Sequence, residues 1–278
     1  MTTGTSPEDL LTTTEFLDHD TMVVRRFVDK VIGKNPGTQL ENAIALYYAV
    51  RDNIMYEVYG ADLSREGLRA SSIITRGRGF CIHKATVYAA VCRAAGIPSR
   101  LVMTDVRNHL TSDRLRELVG GDVFRFHALT SVYLEGRWVR NTPVFNKMLC
   151  RLYGLTPLEF DGVNDSVSHP YDSAGRRYME FLHEHGEYDD FPYELVIEGI
   201  RAAHPRLFAS SYQTTSGSLV DEASPQLLVQ FEKRCTSSHE KPLRSHDRRA
   251  PHPRAQIKRR QGCIRDEPHT HPCRPSVL

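Results

Sequence analysis

Hydrophobic positions along the chain fall into two rhythms. From Thr21 the run Met22, Val23, Val24, Phe27, Val28, Val31, Ile32 repeats at helical spacing, and Gly33 supplies a stop. Thr38 and Glu41 stand three apart ahead of the apolar run Leu40 to Val50, the pattern of a capping box opening a second helix. A loop of small and charged residues is expected from about Gly60 to Gly79. The segment CIHKATVYAAVCRAAGIP, beginning at Cys81, is dense in alanine and valine and ends at Gly96 and Pro98, which predicts a third helix. The rhythm then changes. Leu101-Val102-Met103 begins a strand, Phe124 to Leu134 alternates and is rich in β-formers, Glu135-Gly136 makes a tight turn, and Arg137 to Val144 returns as its partner. Further on, Met179, Phe181 and Leu182, then Tyr193, Leu195, Val196 and Ile200, predict short amphipathic helices. Helices first and an antiparallel hairpin after them define an α+β chain.

The same patterning divides the chain. Residues 1–20 are polar and expected to be loosely ordered, 21–210 form the folded domain, and 211–232 read as a linker. Residues 233–278 hold six prolines, five histidines and almost no aliphatic side chains, too little apolar surface to fold alone, so this tail is expected to be disordered. Charge sharpens the division. The formal net charge of +2 conceals a tail with 12 Lys and Arg against 4 Asp and Glu, and a body with 24 against 30. A basic tail could touch a polyanion by counterion release, but without interleaved aromatics it predicts no nucleic-acid partner, and a solvated appendage is the default.

No stretch approaches the 18 or so apolar residues of a membrane span, and the N-terminus is polar and acidic, unlike a secretory signal. A cytoplasmic location is expected, with no membrane partner. Six scattered cysteines (Cys81, Cys92, Cys150, Cys235, Cys263, Cys273) then read as free thiols. Cys263, His269, His271 and Cys273 offer soft ligands without a recognised zinc spacing. No phosphate loop, dinucleotide fingerprint or calcium loop is present in the sequence, so neither metal nor cofactor is expected.

Cys81 is the position on which chemistry turns. It follows Gly77-Arg78-Gly79-Phe80 and falls in the first turn of the third predicted helix, where unpaired N–H groups and the helix dipole favour negative charge. A thiolate there would have a lowered pKa and be a competent nucleophile, with its own N–H available to an oxyanion. The alternative is a small buried hydrophobe. A nucleophilic thiol needs a base. His127 lies on the first hairpin strand and Asn141 on the second, at offsets compatible with one face if the hairpin is regular. His83 does not share a helical face with Cys81. His109 belongs to a loop, and Tyr133 and Trp138 are expected to pack the sheet.

Three phrases in order, VRDNIMYEVYG, RGRGFCIHKATVYAAVCRAAGIPSRLV and FRFHALTSVYLEGRWVRNTPVFN, give the block from Ala43 to Pro143 a resemblance to the transglutaminase-like superfamily of papain-related cysteine enzymes. The resemblance implies a papain/transglutaminase-like α+β core in which a Gly-x-Cys heads a helix, a histidine follows on a strand, and an acidic residue just before a proline completes a triad. Carried across, Cys81 is the nucleophile, His127 the base and acid, and the third place falls on Asn141, where the family usually has aspartate. An asparagine can fix the imidazole tautomer but supplies no charge; Asp161 and Asn146 remain alternatives. The resemblance implies an enzyme acting on protein or peptide amide bonds through an acyl-thioester, by hydrolysis or transfer to an amine. A binding scaffold with a weakened triad is the second reading, and a functional tail carried by the body the third.

Overall fold

A computed structural model describes residues 6–33, 36–109, 111–168, 179–208 and 217–222 of the chain. The tail, and with it Cys235, Cys263 and Cys273, lies outside the described residues. A short 3-10 turn at Glu8–Leu11 precedes α1 (Met22–Ile32) and α2 (Gln39–Asn53). Gly33 ends α1, and the Thr38–Glu41 capping box is formed in both directions. Residues 6–20 are not loose: Leu10, Phe16 and Leu17 are buried, and Phe16 O accepts the Ala70 N–H at 2.9 Å. Two-residue strands β1 (Met55–Tyr56) and β2 (Arg78–Gly79) pair in parallel. Between them the expected loop contains a helix, α3 (Ala70–Arg76), closed by Gly77 in the left-handed conformation.

The third predicted helix is α4 (Cys81–Ala94), and every residue from Cys81 to Arg93 is buried. A helix made mostly of small and apolar residues belongs in the middle of a protein rather than on its surface. Helices α1, α2 and α3 surround it on one side. On the other lies a four-stranded antiparallel sheet of order β5-β4-β3-β6, built from β3 (Ser99–Asn108), β4 (Val123–Leu134), β5 (Arg137–Asn141) and β6 (Met179–Tyr188). Thr130 Oγ1 of β4 donates to Ala85 O of α4 at 3.2 Å, tying sheet to helix. This is an α+β papain/transglutaminase-like core, with N-terminal helices and the cysteine-headed helix packed on an antiparallel sheet.

Helices α5 (Asp113–Val119), α6 (Lys147–Tyr153) and α7 (Tyr193–Ala203) complete the fold. Two expectations fail. Met179 to Leu182 are strand, not helix, because the open edge of β3 offers a ladder that outweighs local periodicity. Residues 217–222 of the expected linker are docked. Leu219 is buried among Val58, Leu115 and Leu149. Its N–H donates to Glu57 at 3.1 Å, and its carbonyl accepts from Tyr153 at 2.9 Å. The Glu222 carboxylate receives the hydroxyls of Ser112 (2.7 Å) and Tyr59. Among the described residues no helix is long and apolar enough to cross a membrane.

Candidate active site

Local packing explains why a cysteine can head α4. The strand β2 passes so close to α4 that a Cβ on Gly79 would lie 2.5 Å from the His83 Cβ, so a glycine two residues before Cys81 is a steric requirement. His83 is buried with Nε2 3.0 Å from Asp62 O, a structural anchor and not a site-lining group. Lys84, fully buried, donates through Nζ to the carbonyls of Val50 (3.2 Å), Arg51 (2.9 Å) and Ile54 at the C-terminal end of α2. Burial pulls its pKa down to about 7. These contacts fix the first turn of α4 against the surrounding helices.

Cys81 lies in that turn, where the backbone amides of Ala128, Ile82 and Cys81 itself act on its thiol. Ala128 follows His127 on β4 and shares the α4-facing side of the strand with Thr130, so alternation turns His127 to the other side. The amides favour the thiolate, yet burial outweighs them and pushes the thiol up to about 11. The lowered pKa expected from the helix N-terminus is therefore not found: desolvation of the charged form wins at a fully enclosed position. Burial likewise holds His127 down, to about 4, and its Nε2 has no hydrogen-bond partner. At neutral pH the thiol and the imidazole are both neutral.

The third expected residue stands elsewhere. The β4–β5 ladder pairs Thr130 with Asn141, and β4 is regular from His127 to Val132. Alternation then puts Asn141 on the face opposite His127, contrary to the sequence-based offset. Asn141 is fully buried, and neither of its side-chain polar atoms has a partner. The next residue, Thr142, lines one small enclosed cavity with His127, Val144, Phe145 and Cys150, and its hydroxyl is also unpartnered. Tyr47 holds this turn by donating to Thr142 O at 3.1 Å. Thr142 is the residue directly before Pro143.

The alternatives are placed just as plainly. Asp161 is exposed; the N–H and side chain of Asn164 and the N–H of Val163 occupy its carboxylate and pull it down to about 2. Asn146 accepts the Tyr56 N–H at 3.3 Å and directs its amide to Met55 Sδ. His109 sits 3.4 Å from Glu180 at the far end of β3. Tyr133 and Trp138 pack across the hairpin with Arg100 over the indole. Cys92 and Cys150 are buried free thiols, pushed up to about 12 and about 11 by burial. Among the described residues no group of three or more His, Cys, Asp or Glu could hold a metal ion.

A buried cysteine heads a central helix packed on an antiparallel sheet, an arrangement consistent with a papain-like α+β fold. Residues 25–143 match the sequence profile of the transglutaminase-like superfamily. The search of curated proteins found no match. Among solved structures, a candidate cysteine protease from Cytophaga hutchinsonii is 18% identical, with a TM-score of 0.37, over 64% of this chain and 53% of that one. A candidate protease from Parabacteroides distasonis is 16% identical, with a TM-score of 0.31, over 49% of this chain and 26% of that one. The arylamine N-acetyltransferase of Mycobacterium abscessus is 14% identical, with a TM-score of 0.43, over 74% of this chain and 77% of that one. The chain thus spans about half of the first of these and a quarter of the second.

Proposed function

We propose that the protein is a cysteine enzyme that opens amide or peptide bonds through an acyl-thioester at Cys81. The observation that supports this reading is the seat of Cys81 at the head of the buried helix α4, where backbone amides, that of Ala128 on β4 among them, favour its thiolate. As the thiol attacks the carbonyl carbon, its proton passes to His127, and a sulfur–carbon bond forms. The carbonyl oxygen takes up negative charge that backbone N–H groups at the head of α4 can stabilise. His127 then returns the proton to the nitrogen as the carbon–nitrogen bond breaks, leaving the acyl-thioester and a free amine. Water or a second amine, deprotonated by His127, takes the acyl group and restores the thiol.

Burial gives this cycle a particular character. The ion pair is disfavoured in the resting protein, so the proton moves only when substrate polarity enters the site. The test is turnover of an activated acyl ester and of peptide amides, with Cys81→Ala beside the parent, and with and without an added primary amine. Acid release that Cys81→Ala abolishes supports hydrolysis; an amine adduct in its place supports transfer. Equal rates in the parent and in Cys81→Ala would overturn the reading. A second reading, the fold as a protein-binding scaffold, draws on Asn141, which faces away from His127 and brings no charge; inertness toward every acyl donor together with intact folding would favour it.

A further inference from the structure

The backbone that leads into His127 is irregular. Thr104 pairs with His127 but Val106 pairs with Phe124, so Arg125 and Phe126 together oppose the single residue Asp105. Such a bulge breaks the ladder and re-aims the side chains beyond it. Phe126 sits at φ 58°, a left-handed conformation costly for a bulky residue. On the other edge of β3, pairing with β6 slips on both sides of Asp105, between Met103 and Thr104 and between Asp105 and Val106.

The Asp105 side chain is fully buried between these irregularities. One carboxylate oxygen accepts the Phe126 N–H at 3.1 Å and lies 2.8 Å from Nε2 of His185. The other is paired with the Arg125 guanidinium. Residues on either side are tied as well. The Arg125 N–H donates to Nε2 of His204 at 3.0 Å, and Nδ1 of that ring lies 2.8 Å from Val119 O. The His127 carbonyl accepts from Thr104 Oγ1 at 3.1 Å. Three consecutive residues ending at His127 are therefore held by three side chains. Two rings complete the clamp: His185 stacks on Phe126 at 4.3 Å and 13°, and Phe126 presses on Gly199 so closely that a Cβ there would lie 1.9 Å from the ring.

We propose that Asp105 is a positioning residue of the candidate site: its carboxylate holds the Arg125–Phe126 bulge and thereby aims the His127 imidazole at the face where it stands. Side chains alternate along a strand, so closing the bulge would slip β4 by one residue and turn His127 to the opposite face. The bulge is uphill by itself, with a strained Phe126, and a buried carboxylate is uphill too unless it is bonded. Each makes the other tolerable. In strand terms alone, an apolar residue like Val102 or Val106 would serve at position 105. The inference rests on His127 being the base, but it is measured independently of turnover.

The experiment follows the imidazole resonances of His127 by NMR in the histidine-labelled full chain, assigned with His127→Gln. The parent, Asp105→Asn and Asp105→Ala are compared. In Asp105→Ala the His127 midpoint moves up toward that of a free histidine by about one pH unit or more, as the ring leaves its buried seat. Asp105→Asn, which can still accept the Phe126 N–H, shifts less, and its Phe126 amide exchanges about tenfold faster, the mark of a weakened acceptor. A folded Asp105→Ala with an unchanged midpoint overturns the proposal. Should that variant fail to fold, an unchanged midpoint and an unchanged Phe126 exchange rate in Asp105→Asn overturn it instead. A parent inert toward acyl donors whose His127 still responds to Asp105 would refute the catalytic reading and leave the positioning role standing.

Discussion

Acid should unfold this protein earlier than its carboxylates alone would dictate. His83 and His127 are both buried in the neutral form, each held down to about 4 from an ordinary 6.5, with burial as the largest cause. Between those values the unfolded chain binds protons that the folded chain refuses. Stability therefore rises with pH across this window and is lost as the pH falls from 6.5 toward 4. Each histidine is worth about 3 kcal/mol over the whole window and about 2 kcal/mol by roughly pH 5. Together they remove about 4 kcal/mol, a large share of the 5 to 15 kcal/mol typical of a domain. His204 and His19 are also depressed by burial and add in the same direction. The assay is urea unfolding at about pH 7.5 and about pH 5 in the parent and in His83→Gln, whose amide can still donate to Asp62 O. The variant should lose about half as much stability as the parent over that step. A parent that loses less than about 1 kcal/mol at constant m, or a variant with undiminished acid sensitivity, would refute the reasoning.

Three further substitutions probe the site and its frame. Asn141→Val removes a buried amide without partners, so stability should hold or rise by about 1 kcal/mol in thermal melts. Turnover should survive it, whereas Thr142→Val, beside His127, should change kcat more than KM. Gly199→Ala should cost about 1–3 kcal/mol by forcing the Phe126 ring to move, and a neutral result in the same melts would contradict the packing. Leu219→Ala should cost about 2–3 kcal/mol, since that side chain is 4% exposed. Truncation after Glu232 should leave the melting temperature unchanged, and truncation before residue 217 should lower it.

Local signals carried most of the frame. The Thr38–Glu41 capping box, the Gly33 and Gly96 stops, the alternation from Phe124 to Leu134 and the Glu135-Gly136 turn are short-range features that depend on neighbours in sequence, and each was readable there. What escaped depends on partners far along the chain. Strand β6 exists because β3 has an open edge, and the turn at Leu219–Glu222 because Glu57, Tyr59 and Tyr153 receive it. Cys81 and His127 stand out in the sequence by type and order as candidates, but their protonation does not show there. The helix N-terminus is visible in the sequence, and the burial that overrides it is a property of the packed whole. Which face Asn141 occupies turned on a one-residue difference in hairpin register. The role given to Asp105 had no signal at all, because a bulge is a relation among three strands.

The central claim is that Cys81 forms the acyl-thioester and that His127 carries the proton. Peptide mass spectrometry of the protein quenched in acid after brief exposure to an activated acyl ester tests it most directly, with His127→Ala and Cys81→Ala alongside. The account predicts the acyl group on Cys81 and not on Cys92 or Cys150, in amounts that fall by about 100-fold or more in His127→Ala, the scale of general acid–base catalysis. Acylation spread over the three cysteines, or at Cys81 but indifferent to His127, would contradict it.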